Sequence, residues 1–241
     1  MSKLRERDWE RSDLLEPQPG PRFPEMLSDG GGLPFLPAAL AAPPGLLDPD
    51  DRPVAALLAH LTARAAPKRT VRVPWGREPP PPPPPPRIED WRELARTEDE
   101  VLFARGVPPR MLTASLRCSG RRRAWTFVGS SAARPIRVAR DGMRASSWRL
   151  DPDHDPPGDE SVLRVLISEQ AFASGQPAYG RILPPEIYAD EDELVLTVFV
   201  TPLPGFQNGT PNPETPARIV LPHPVGARRL IDGALPLLTP A

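Results

Sequence analysis

The sequence predicts a mainly β protein, an antiparallel β-sandwich of Ig-like type with about 7–8 short strands, preceded by one or two helices and a disordered, proline-rich N-terminal region. Three observations predict it. Glu193–Thr201, ELVLTVFVT, alternates with a period of two, placing Leu194, Leu196, Val198 and Val200 on one face and Val195, Thr197 and Phe199 on the other. From Arg110 onward apolar residues recur at every second position between turn residues. The chain also holds Pro 38 and Gly 17 in 241 residues, a composition close to that of partly disordered chains.

In order, residues 1–45 alternate short charged pieces with Pro and Gly, and offer too little apolar surface to offset chain entropy, so a disordered tail is expected. Residues 46–75 carry an amphipathic helix, Asp51–Ala66, and a candidate edge strand at 70–74 closed by Pro74. Asp50 or Asp51 caps this helix, Pro53 sits in its first turn and Pro67 stops it. Val54, Leu57, Leu58 and Leu61, with Ala65, form one stripe that docks either on the β domain or on a partner. His60 lies off that stripe and reads as a surface residue. Residues 76–87 form a polyproline linker, in which Pro79–Pro86 spans roughly 25 Å as a polyproline II spacer at ~3.1 Å per residue. Residues 88–241 make the folded domain, starting with a second helix over Ile88–Arg105, ended by Gly106 and Pro108.

Strands follow at Met111–Cys118, Arg123–Val128, Pro135–Arg140, Met143–Leu150, Val162–Ser168, Ala217–Leu221 and Arg228–Ile231. Asp141-Gly142 favours the positive φ angles of a type I′ turn, which makes a hairpin whose Ile136, Val138, Trp148 and Leu150 face the core. Glu193–Thr201, apolar on both faces, is the central strand.

The stretches TPLPG at 201–205, NGTPNPETP at 208–216 and IVLPHPVGARRLIDG at 219–233 resemble the C-terminal β module of uncharacterised actinobacterial proteins, many of them exported or lipid-anchored. The resemblance covers residues 201–233 and implies a β module, with no chemistry attached to it.

Function classes narrow by charge and motif. A net charge of −1 and a pI of about 6.3 favour neither nucleic acid nor an anionic membrane surface. Lys3 and Lys68 are the only lysines, so the many arginines partly reflect GC-rich coding as well as selection. The single cysteine, Cys118, excludes an internal disulfide framework and reads as a small core residue. Prolines interrupt the longest apolar stretch well short of the about 18 residues of a membrane span, and the charged N-terminus lacks a signal-peptide core, so a cytoplasmic protein is expected.

No GxSxG, phosphate-binding glycine loop or HExxH occurs. An enzyme is the third reading, favoured only by a clustering of His154 or His223 with Cys118 or Asp153. Asp151, Asp153 and Asp155 are spaced for hard oxygen ligands, but prolines interrupt the calcium-loop pattern, and a solvated acidic loop is the better reading. No metal or cofactor is expected.

Charge is segregated: eleven arginines and one acid lie between Val101 and Leu150, eleven acids and two arginines between Asp151 and Glu193. Either Arg121, Arg122, Arg123, Arg137 and Arg140 present an anion- or nucleic-acid-binding face, or these charges neutralise one another across strands, and scarce stacking aromatics favour the second. The leading expectation is therefore a non-enzymatic β-sandwich interaction or scaffold module on a polyproline spacer, with another protein as its partner.

Overall fold

Period-two runs become strands through most of the chain in the computed structural model, which describes residues 9–31, 33–65, 87–108, 110–131, 135–154 and 161–236. The edge strand expected at 70–74 and the proline run 79–86 lie outside the described residues. The protein is mainly β. Its strands are β1 Asp13–Leu15, β2 Gln18–Pro19, β3 Met26–Ser28, β4 Trp91–Arg96, β5 Glu100–Val107, β6 Arg110–Ser119, β7 Ala124–Ser131 and β8 Arg137–Arg140. There follow β9 Met143–Arg144, β10 Ser147–Leu150, β11 Val162–Ser168, β12 Glu186–Ala189, β13 Glu193–Thr197, β14 Thr215–Val220 and β15 Arg229–Asp232. They fall into two units, one made of Met1–Leu27 and Arg137–Ala241, the other of Ser28–Ile136.

In the first unit, every residue of β13 is buried, as a strand apolar on both faces requires. It lies inside the sheet β15-β13-β12-β2, antiparallel to β12 and parallel to β15. Leu194, Leu196, Val198 and Val200 share one core with Leu163, Val165 and Ile167 of β11 and Ala217 and Ile219 of β14, which belong to the sheet β1-β14-β11-β10. Trp148 packs at the border of this core and donates its Nε1–H to the Leu196 carbonyl at 2.8 Å. A third sheet, β3-β8-β9, contains a hairpin at the expected turn, with Asp141 and Gly142 at φ 49° and 77°, but its second arm is only Met143–Arg144, and the rest of the expected arm Met143–Leu150 leaves as β10 to pair with β11 in another sheet.

The opposite face of β13 is covered as well, since Val195, Thr197 and Phe199 are buried. The Arg140 guanidinium lies 4.6 Å from the Phe199 ring centroid. Gly233 closes over the same face so tightly that a Cβ there would collide with Thr197 Oγ1 and stand 2.9 Å from Val195 Cγ1. Its φ is not in the left-handed region, so the demand for glycine is purely steric. Gly233→Ala is expected to lower stability by about 1–3 kcal/mol through overpacking, read as a lower midpoint with an unchanged slope in urea denaturation of the full chain.

The N-terminal region overturns the expectation of a tail. β1 adds in parallel to β14, pairing Asp13 with Ala217 and Leu15 with Ile219, and β2 adds in parallel to β12. Trp9 is 4% exposed, with the Arg164 guanidinium 5.5 Å from its ring. Arg218 donates to the Ser12 hydroxyl at 3.0 Å and its carbonyl at 3.1 Å, and the Asp13 carboxylate accepts the Gly180 N–H at 2.9 Å. Residues 9–19 lack the apolar surface for a core of their own. They are ordered because two sheet edges supply unpaired backbone groups that an extended segment satisfies.

The second unit corrects another expectation. Residues 88–105 are not a helix: a 3-10 turn at Ile88–Asp90 leads into β4 and β5, joined through Thr97, whose N–H donates to the Glu100 carbonyl at 2.8 Å and whose hydroxyl accepts the Glu100 N–H at 3.0 Å. The register shifts between Glu93 and Ala95, and this bulge buries both Trp91 and Leu94 at a spacing of three, which imitates helical periodicity. β4, β5, β6 and β7 form an antiparallel meander in sequence order.

The Arg52–Ala65 helix packs on β6 and β7. Val54 and Leu57 are buried in one core with Trp91, Val101, Phe103, Ala114 and Leu116. Arg96 braces its start, bonding Asp51 at 2.5 Å and Glu93 at 2.6 Å. Residues 28–45 also belong here and not to a tail, since the Asp29 carboxylate accepts the Thr113 hydroxyl and Arg92 donates to the carbonyls of Leu40 at 2.7 Å and Ala42 at 2.8 Å. Cys118 is buried and free of disulfide, as a core residue should be.

Candidate functional site

The arginines singled out by sequence divide between the two units. Arg121, Arg122 and Arg123 are exposed in the β6–β7 turn of the second unit, and Arg123 pairs with Glu98 and Asp99 at 3.0 Å each. Arg137 and Arg140 belong to the first unit and turn inward. Arg137 is 7% exposed and donates to the Ser147 hydroxyl at 2.7 Å, and burial holds its pKa below the ordinary value although Asp232 opposes this. Arg140 pairs with Glu186.

Other cations of the basic stretch are paired as well, Arg105 with Asp90, Arg117 with Glu100 and Arg149 with Glu214. Their acids come mainly from outside the acidic stretch, which sequence spacing alone does not reveal.

The apolar stripe on the Arg52–Ala65 helix uses Val54 and Leu57 fully and Leu61 in part against the sheet of its own unit, with Leu58 half-buried. Of its two expected destinations, the chain's own β structure is the occupied one. His60 is not a free surface residue, for its ring stacks on Phe127 with centroids 3.7 Å apart. Asp151 is buried and its carboxylate accepts the Asp153 N–H at 3.1 Å, while Asp155 lies outside the described residues. Among the described residues no three His, Cys, Asp or Glu side chains group as metal ligands. Cys118 belongs to the second unit, and His154, Asp153 and His223 to the first.

A different site emerges in the first unit, where two long loops, residues 169–181 and 201–214, are joined. Pro202, Pro204, Pro211 and Pro213 cannot donate to a ladder, so side chains do the joining. Asn212 donates Nδ2–H to the Ala171 carbonyl at 2.6 Å and accepts the Ala173 N–H at 2.9 Å. Ser174 donates to Gln207 Oε1 at 2.8 Å and accepts the Asn208 N–H at 3.1 Å. Thr215 accepts the Ala178 N–H at 2.7 Å. Arg181 grips Glu169 with two bonds of 2.6 and 2.7 Å and the Thr201 carbonyl with a third, and its hydrogen bond to Glu169 raises its pKa. Gly175, at φ 76°, brings its backbone against Thr210, whose Cγ2 would lie 3.0 Å from an added Cβ.

These fixed loops hold apolar rings out to solvent. Phe206 is 95% exposed and Phe172 54%. Sequence reading passed over them because their neighbours are turn formers. The available signal was an aromatic residue set among Pro, Gly and Asn, where no core position explains it.

No family model, curated protein or solved structure matches the chain. Among the described residues no helix is long and apolar enough to cross a membrane.

Proposed function

We propose that this protein is a non-enzymatic interaction module whose first unit is an Ig-like β-sandwich and whose loops 169–181 and 201–214 bind another protein. The single observation that carries this reading is Phe206, 95% exposed on a loop that Asn212, Ser174 and Gln207 hold in place. Burying such a ring in a partner's pocket is worth about 1.5–3 kcal/mol, and a loop already ordered spends little of that on immobilisation. The partner fitting this surface is a protein with an apolar pocket. The likeness of residues 201–233 to actinobacterial β modules is part of the same proposal, since that stretch supplies the loop.

Binding should depend on Phe206 and not on the arginine turn. With the full chain immobilised, proteins retained from extracts of the source cells are expected to be lost with Phe206→Ser and kept when Arg121, Arg122 and Arg123 are replaced by Gln. For the retained protein, once purified, Phe206→Ser should weaken Kd about 30-fold, the equivalent of roughly 2 kcal/mol at a hot spot. Equal retention by the Phe206 variant would refute the proposal. Loss with the arginine variant, together with a steep salt dependence, would favour an anion-binding role instead.

A further inference from the structure

Residues 9–22 are held by the first unit at a row of separate places, as a receptor holds an extended peptide. Trp9 is buried with the Arg164 guanidinium over its ring. Ser12 accepts two bonds from Arg218, and Asp13 accepts one from the Gly180 N–H. Leu15 packs against the core shared by β11, β13 and β14. Gln18 and Gly20 donate their N–H groups to the Pro185 and Ile187 carbonyls at 2.8 and 2.9 Å. Gly20 passes so close to β12 that a Cβ there would lie 2.6 Å from the Glu186 Cβ. Beyond it the Arg22 guanidinium stands 2.9 Å from the Glu193 carboxylate, whose side chain is 8% exposed.

The groove therefore reads a sequence: an indole, then a hydroxyl and a carboxylate, an apolar residue, a residue without a side chain, and a cation. Backbone pairing with β14 and β12 supplies affinity, and the places between supply selectivity, as when a peptide adds a strand to an open sheet edge. These partners lie in Arg137–Ala241, and the chain that joins them to the segment runs through the whole Ser28–Ile136 unit. No contact requires segment and groove to belong to one molecule. A second copy offers the same residues, every bond is kept on exchange, and protein concentration competes with the effective concentration of the tethered segment.

We propose that the first unit carries a binding groove for an extended segment, filled within one molecule by residues 9–22, and that a second copy of this chain supplies the same residues in trans to give a strand-exchanged dimer. The proposal does not rest on Phe206.

The full chain with a specific protease site inserted after Gly31, an exposed position, is unfolded in urea and refolded at micromolar and at near-millimolar concentration. Light scattering should show monomer at the first and a dimer fraction at the second, since a tethered segment competes at an effective concentration of millimolar order. Cleavage then shows how the dimer is held. Cutting the link should convert an exchanged dimer into particles of monomer size that retain the 1–31 piece, whereas a dimer joined by its surfaces survives. A synthetic peptide of residues 9–27 should displace that piece, and Trp9→Ala or Gly20→Ala in the peptide should raise the concentration needed by about tenfold or more. Should the chain with the insertion not fold, the unaltered chain refolded with fluorescent 9–27 peptide is expected to retain it. The absence of a dimer at near-millimolar concentration, a dimer that outlasts cleavage, equal displacement by a scrambled peptide, or failure of the unaltered chain to retain the labelled peptide would each overturn the proposal.

Discussion

Deleting residues 9–19 will lower the thermal midpoint of the full chain by roughly 10 °C and make the protein prone to self-association. The segment supplies the edge strands of two sheets, the buried ring of Trp9, both acceptors of Arg218 and the acceptor of the Gly180 N–H. Pro17 and Pro19 also form one wall of an open apolar cleft of about 390 Å³ with Ile187, Val220 and Leu221, and deletion removes that wall. A loss of about 3 kcal/mol is modest for these contacts together, and in a chain of this size each kcal/mol moves the midpoint by ~2–4 °C. The bared edges of β12 and β14 then present unpaired N–H and C=O groups to other chains, which is how sheets aggregate. Differential scanning calorimetry and light scattering at several concentrations read both effects. A midpoint within a degree of the intact chain would return the segment to the status of a tail.

The other large effect belongs to β13 and the residue that follows it. Leu196 and Val198 have no exposed surface and sit in the core shared by the two four-stranded sheets of the first unit. Leu196→Ala should cost about 2–5 kcal/mol, the transfer energy of the lost atoms plus the cavity left between facing strands. Val198→Asp places a carboxylate where nothing pairs with it, so the group either takes up a proton or forces the unit open. Against a total near 5–15 kcal/mol, that variant should not fold at neutral pH. Thr197→Val is the comparison: Thr197 is buried on the opposite face beside Gly233, and the change removes a hydroxyl without opening a cavity, so it should cost less than Leu196→Ala. Urea denaturation of the full chain separates the three. A Leu196→Ala cost under about 1 kcal/mol would mean that the position behaves as an edge and that the two sheets do not share the core described.

The sequence made β13, β11 and the Asp141-Gly142 hairpin legible because each declares itself locally. Alternation marks Glu193–Thr201, of which Glu193–Thr197 is continuous strand and Val198 and Val200 make isolated bridges, and Val162–Ser168, and two successive positive φ angles demand the Asp-Gly pair. What escaped was set by distant parts of the chain. Leu14 and Leu15 look like fragments of a polar tail until β14 offers them an edge. The bulge at Leu94 gives a strand the spacing of a helix, and only pairing with β5 distinguishes the two. Glu186–Ala189 is too short to announce a strand, and it forms between β2 and β13 because both already need a neighbour. The binding loops escaped for a related reason. Pro, Gly and Asn identify residues 201–214 as irregular, but only the bonds from Asn212 and Ser174 show that the irregular chain is fixed and that Phe206 is held outward.

The parallel edge strands have a consequence in time. Ser12 and Arg218, which bond each other, are 206 residues apart. At ~5–20 residues per second, β14 leaves the ribosome roughly 10–40 s after β1. During that interval Asp13–Leu15 has no sheet to join, whereas the Ser28–Ile136 unit is contiguous and can complete its own ladder as it emerges. The protein is therefore expected to be born in the order middle, end, beginning. Its first strands dock last, and a chaperone that shields an extended N-terminal segment would act on this chain longest at the very residues that look least in need of one.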